Sequence, residues 1–207
     1  MKGRLITFEG CDGCGKSTQL GRVAMRLGET GCDVVSTREP GGTALAEAAR
    51  RIVVDPTFAP DPLTELFLLE AARRDHVRRV IRPALDRGAV VLCDRFVDSS
   101  TVYQGIVGGV SLATVERLNR LATDGLEPDR TIVLDLDPET ALERRRNRDG
   151  EGGSRQDTAP LEFHRRVVEG FRTLAARHPS RVRLVDGRGG PDEVFARVWP
   201  LVEEVVG

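Results

Sequence analysis

The sequence predicts an α/β fold in which a five-stranded parallel sheet is flanked by helices, and three observations carry that expectation. Short apolar runs alternate along the chain with stretches of helical period. One run, Ala89 to Cys93, is almost unbroken in apolar residues, as a strand covered on both faces should be. Between the first run and the first helix lies Gly10-Cys11-Asp12-Gly13-Cys14-Gly15-Lys16-Ser17, which matches the pattern G-x-x-x-x-G-K-[ST] without a mismatch.

Taken in order, Leu5 to Phe8 reads as a buried strand, and Leu20, Val23, Ala24 and Leu27 mark a helix opening at Ser17. Asp33 to Thr37 is a second strand, followed by the turn Arg38 to Thr43 and a helix from Ala44 to Val54. A proline-broken connection, Asp55 to Pro62, leads to a long helix or pair of helices from Leu63 to about Asp86. After the third strand come an amphipathic stretch at Leu112 to Ala122 and a fourth strand at Thr131 to Leu134. A helix with proline in its first turn runs from Pro138 to about Arg148. Arg181 to Val185 is a fifth strand, before a last helix from Pro191. In such a sheet a ligand belongs at the carboxyl ends of the strands.

In the glycine-rich loop, backbone N–H groups can point inward and, with the positive end of the following helix, hold a polyphosphate. The phosphates are expected against Gly10 to Thr18, with Lys16 neutralising them and the Ser17 hydroxyl taking a place on Mg²⁺. Asp94-Arg95-Phe96 ends the third strand, where a carboxylate can also hold Mg²⁺ and an arginine can bridge the two phosphates between which transfer occurs. The plainer readings are a ligand-free glycine turn and a surface ion pair.

Composition suits one domain over residues 1–207. The chain has 207 residues, 40% hydrophobic and 30% charged, enough for a real core. A formal net charge of −1 gives no reason to expect nucleic acid or an acidic membrane as partner. No apolar stretch approaches the roughly 18 residues that span a bilayer, and Met1-Lys2-Gly3-Arg4 runs straight into a core strand, so a cytoplasmic location is expected. Cys11, Cys14, Cys32 and Cys93 have no zinc-finger spacing. Cys11 and Cys14 read as small side chains in a tight loop, or as an exposed pair whose oxidation would distort it.

Further residues carry a resemblance. Phe8-Glu9-Gly10 with Asp12, Arg38-Glu39-Pro40-Gly41-Gly42-Thr43, Asp94 to Ser100, Tyr103-Gln104-Gly105, and Leu118-Asn119 through Gly125-Leu126-Glu127-Pro128-Asp129 together look like bacterial thymidylate kinase. The resemblance implies a P-loop nucleoside monophosphate kinase fold, phosphoryl transfer from Mg·ATP to thymidine monophosphate for dTTP synthesis, and a homodimer. It implies that Arg95 grips the acceptor phosphate with Asp12 nearby, and that Tyr103 fills the place of a ribose 2′-hydroxyl. Arg73 and Ser100 would meet the base edge, and Arg38, Pro40, Leu69, Ser99 and Gln104 would complete the acceptor site. It also implies a cis Glu39-Pro40 bond.

Two departures from the family pattern stand out. Leu69 lies where the family usually has a phenylalanine stacking on thymine, and Glu70 where a small residue is usual. Phe67 lies two residues away, roughly 200° around a helix, and cannot substitute. Gly13 stands where one branch of the family carries an arginine inside the loop. Charge must then come from a mobile basic lid at about 144–160, with Arg144, Arg148 and Arg155 as catalytic candidates and Arg145 and Arg146 beside them. A kinase for another or a modified pyrimidine monophosphate and a non-catalytic nucleotide switch are the competing readings.

Overall fold

The computed structural model describes residues 3–149 and 159–207. Its five strands are β1 (Arg4–Glu9), β2 (Val34–Arg38), β3 (Val90–Asp94), β4 (Arg130–Asp135) and β5 (Val182–Asp186). They form one parallel sheet in the order β2-β3-β1-β4-β5. β1 is central, with Phe8 in register with Asp94 of β3 and with Ile132 of β4. The chain turns to opposite sides of β1 here, so a crevice opens beyond its carboxyl end.

Helices α1 (Lys16–Glu29), α2 (Ala44–Val54) and α3 (Pro62–His76) follow the first two strands. The starts of α2 and α3 are capped: Ala46 N donates to Thr43 Oγ1, and Leu63 N and Thr64 N donate to Asp61 Oδ1 ahead of Pro62. The segment expected at Leu63 to Asp86 is α3, a π-helical turn at Val77–Ile81, and α4 (Arg82–Asp86). Pro83 explains the widened turn, because its ring lacks an N–H and crowds the carbonyl one turn back, at Arg79.

Beyond β3 come the single turn α5 (Val97–Ser100), a π-helical stretch Thr101–Val107, and α6 (Leu112–Thr123). α7 (Pro138–Asp149), α8 (Leu161–Arg177) and α9 (Pro191–Val206) complete the described helices. α8 has no counterpart among the sequence expectations, although Val167, Val168, Phe171, Leu174 and Ala175 bury one face of it. Phe8, Leu92, Ile132, Leu134 and Phe171 anchor the larger core, and Leu5, Val77, Val91 and Phe96 the smaller one on the other face of the sheet. Among the described residues no helix is long and apolar enough to cross a membrane.

Candidate active site

The Gly10–Ser17 loop leaves β1 and enters α1 through Gly15, whose left-handed φ of 102° turns the chain into the helix. Lys16 folds back across it: Nζ donates to Cys11 O at 2.9 Å and Gly10 O at 3.2 Å. On the neighbouring strand end, Ser17 Oγ donates to Asp94 Oδ2 at 2.7 Å. The loop, Thr18, Arg38, Arg50 and Arg95 enclose a cavity of about 430 Å³.

Asp12 joins the two halves. Its Oδ1 accepts from Arg95 Nη2 at 2.7 Å and lies 3.9 Å from Lys16 Nζ. Burial acts to raise the Asp12 carboxyl, but Arg95 and Lys16 outweigh it and hold the group well below the usual carboxylate range. Arg95 also donates from Nη1 to Ser99 Oγ at 3.1 Å and from Nη2 to the Tyr103 hydroxyl at 3.3 Å, and its guanidinium lies over the Tyr103 ring. Beneath it, burial pushes the Glu9 carboxyl up to about 7, against the pull of Arg95.

Tyr103 is held from behind by the rings of Phe163 and Phe171, with centroids 6.1 and 6.3 Å away. It lines, with Pro62, Gln104, Phe163 and Arg166, a second cleft of about 320 Å³. Gln104 is buried there and its Oε1 has no hydrogen-bond partner among the described residues. Phe163 and Arg166 were missed because α8 was missed, and its apolar period was the available signal.

Arg73 is 3% exposed and uses all five of its N–H donors inside the protein. Nε meets Glu39 Oε2 at 2.7 Å; Nη1 meets Glu70 and, at 2.8 Å, Asn119 Oδ1; Nη2 meets Ser100 Oγ at 3.0 Å and Phe96 O at 3.2 Å. A base-edge contact from Arg73 therefore requires exchange of one of these bonds. Glu39 also receives His76 Nδ1 at 2.9 Å, and the Glu39-Pro40 peptide is cis, as the resemblance implied. Pro40 O accepts from Arg50 Nη1 at 3.2 Å, and Arg38 pairs with Glu47 at 2.9 Å. Arg50 received no role from the sequence, though it lies three residues after Glu47 on the same face of α2.

Leu69 is half-buried, whereas Phe67 is exposed and lines an open groove between α3 and α6 with Leu121. Arg144 donates to Gly187 O at 3.0 Å and Gly189 O at 3.2 Å. The Arg148 side chain and Arg155 lie outside the described residues, as does most of the expected lid. Cys11 and Cys14 are buried, not exposed: the hydrogen bond between them and the nearby Lys16 lower the Cys14 thiol, while that bond and burial raise Cys11. Both pack into the core beneath the loop.

A phosphate loop facing an arginine at the next strand end across one cavity, with a tyrosine against that arginine lining a second cleft, defines a P-loop nucleoside monophosphate kinase. Comparison with known proteins narrows this. The family model for thymidylate kinase matches residues 8–198. The thymidylate kinase of Symbiobacterium thermophilum is 48% identical over 97% of this chain and 93% of its own length, and that of Deinococcus radiodurans 45% identical over 98% of each. A crystal structure of thymidylate kinase from Ehrlichia chaffeensis superposes with a TM-score of 0.77 at 33% identity, covering 98% of this chain and 99% of that one. The chain belongs to the thymidylate kinase family and is an enzyme.

Proposed function

We propose that this enzyme transfers the γ-phosphoryl group of ATP to dTMP, giving dTDP and ADP for dTTP synthesis. The observation that carries the residue assignments is the position of Asp12 between Lys16 on the donor side and Arg95 on the acceptor side of one cavity.

The loop amides from Gly10 to Gly15, with Lys16, Ser17 and Thr18, hold the donor phosphates. Ser17 and Asp94 present two hard oxygen donors 2.7 Å apart beside that loop, which suits Mg²⁺, and they would hold it. When bound, the ion neutralises charge on the donor phosphates. Arg95 orients the acceptor phosphate, whose anionic oxygen attacks the γ-phosphorus in line as the bond to the β-γ bridging oxygen breaks. Neither partner needs a proton removed. Tyr103, fixed between Arg95 and two phenylalanines, is a rigid wall against a ribose 2′-hydroxyl. Gln104 Oε1 offers an unused acceptor to the nucleoside. Arg38, Pro40, Leu69, Arg73, Ser99 and Ser100 would complete the acceptor site, and Arg144 and Arg148 on α7, with Arg155 beyond it, would supply positive charge to the transferring phosphoryl group.

A homodimer is supported by the apolar groove of Phe67 and Leu121, the latter 70% exposed. Sedimentation is expected to give twice the chain mass, and Phe67→Glu to reduce it to one. The cytoplasm is the compartment proposed.

The deciding assay is ADP formation from Mg·ATP with dTMP, dUMP, dCMP, UMP and CMP at equal concentration. Preference for dTMP is expected. Leu69 and the buried Glu70 beside Arg73 favour one second reading, a different pyrimidine monophosphate, which preference for another base would establish.

A further inference from the structure

Arg95 carries the acceptor-side charge from a backbone position that side chains rarely adopt. Its φ is 69°, in the left-handed region, and it is one of two non-glycine residues with positive φ among those described. Something in the fold must hold it there. Behind it, Arg95 N donates to Phe8 O at 2.9 Å. Ahead of it, the wholly buried Glu9 takes the next backbone groups: Oε1 accepts from Phe96 N at 2.8 Å and Ser99 N at 3.2 Å.

The same carboxylate reaches the guanidinium. Its Oε2 accepts from Ser99 Oγ at 2.6 Å, Ser99 Oγ accepts from Arg95 Nη1 at 3.1 Å, and Oε2 itself lies 3.9 Å from that nitrogen. Phe8 and Glu9, consecutive at the end of the central strand, thus bracket both the main chain and the side chain of Arg95. Asp12 touches Arg95 as well, but from the phosphate loop and partly exposed, where an arriving acceptor competes with it. Glu9 is wholly buried.

We propose that Glu9 is a positioning residue for the acceptor monophosphate: its buried carboxylate sets the backbone turn and, through Ser99, the guanidinium direction of Arg95. The inference rests on the reading of Arg95 as the acceptor-phosphate ligand. A guanidinium already aimed loses less freedom on binding, so the benefit falls on acceptor affinity and alignment and not on ATP.

The test is a double-mutant cycle of Glu9→Gln and Arg95→Lys, read as separate KM values for dTMP and ATP, kcat, and melting temperature. Glu9→Gln keeps size and one acceptor oxygen but loses the charge. Alone it should raise KM for dTMP by about tenfold and change KM for ATP by less than about twofold; added to Arg95→Lys it should change KM for dTMP little, because its effect passes through Arg95. An unchanged KM for dTMP in Glu9→Gln, equal change in both KM values, or full additivity with Arg95→Lys overturns the proposal. If Arg95→Lys itself leaves KM for dTMP unchanged, the underlying reading of Arg95 fails instead. Should Glu9→Gln melt below the assay temperature, Ser99→Ala cuts the link between carboxylate and guanidinium while leaving both backbone bonds of Glu9. Non-additivity of Ser99→Ala with Arg95→Lys supports the proposal, and additivity overturns it.

Discussion

Asp12 Oδ1 and Arg95 Nη2 meet at 2.7 Å, joining the phosphate loop after β1 to the strand end of β3 across 83 residues of sequence. On the proposed assignment the pair connects the donor half of the cavity to the acceptor half, and an incoming phosphate would compete for the arginine. Arg95→Ala is expected to lower kcat/KM for dTMP by about 10- to 10³-fold, since charge-assisted bonds are worth ~1.5–3 kcal/mol each. KM for ATP should stay near its original value; initial rates with each substrate varied in turn check both.

Arg73→Met tests a different charge. Glu39 and Glu70 both pair with Arg73 in the interior, and the substitution leaves two buried carboxylates without it. Breaking a buried pair in this way costs about 3–5 kcal/mol, which for a chain of this length lowers the melting temperature by about 6–20 °C. Thermal unfolding followed by circular dichroism measures it, and a change under about 2 °C would show that the network contributes nothing to the fold.

Gly13→Ala acts through backbone and space together. Gly13 has φ of 85°, and a Cβ there would overlap the Ala141 carbonyl of α7. The conformational part alone costs about 1–2 kcal/mol. A fall in melting temperature of at least about 4 °C is expected, with weaker ATP binding by calorimetry because the loop must shift.

Glu9 makes stability depend on pH in a definite direction. Its carboxyl titrates near 4.5 when exposed and is pushed up to about 7 in the fold, so the folded state holds the proton more tightly. Between those values stability falls as pH rises, by about 3 kcal/mol in all, and levels off above 7. Arg95, Asp98, Arg181 and Cys93 are the ionisable neighbours that feel this charge. Other groups titrate in the same range, so the quantity to measure is the difference between the original chain and Glu9→Gln in urea unfolding from pH 5 to 8. The original chain should lose stability relative to the variant as pH rises.

What the sequence showed of the fold was what lies close along the chain. The run Ala89–Cys93 marked β3, and the glycine pattern marked the loop and the start of α1, because spacing of a few residues determines both. α8 escaped because the charged stretch before it drew the reading toward a lid, although its buried face was periodic. The site was legible as residue types at motif positions: Ser17 with Asp94, and Asp12 with Arg95, do come together. Their second partners were not legible. Arg73 meets Glu39 34 residues away and Asn119 46 residues away, distances over which neither propensity nor period carries information. That Arg73 gives all five donors to partners so far apart in the chain was therefore not legible either. The basis for Glu9 was likewise invisible, since its hydrogen bonds cross from β1 to residues 96 and 99.

The close seat of Gly13 on Ala141 bears on what position 13 can hold. Only a hydrogen atom fits between the loop and α7 at that point, and the Arg145 Cβ stands 3.2 Å from where a side chain would begin. An arginine cannot be grafted onto position 13 while the helix that leads into the basic run stays docked. Admitting any side chain at position 13 therefore requires the loop and α7 to move together.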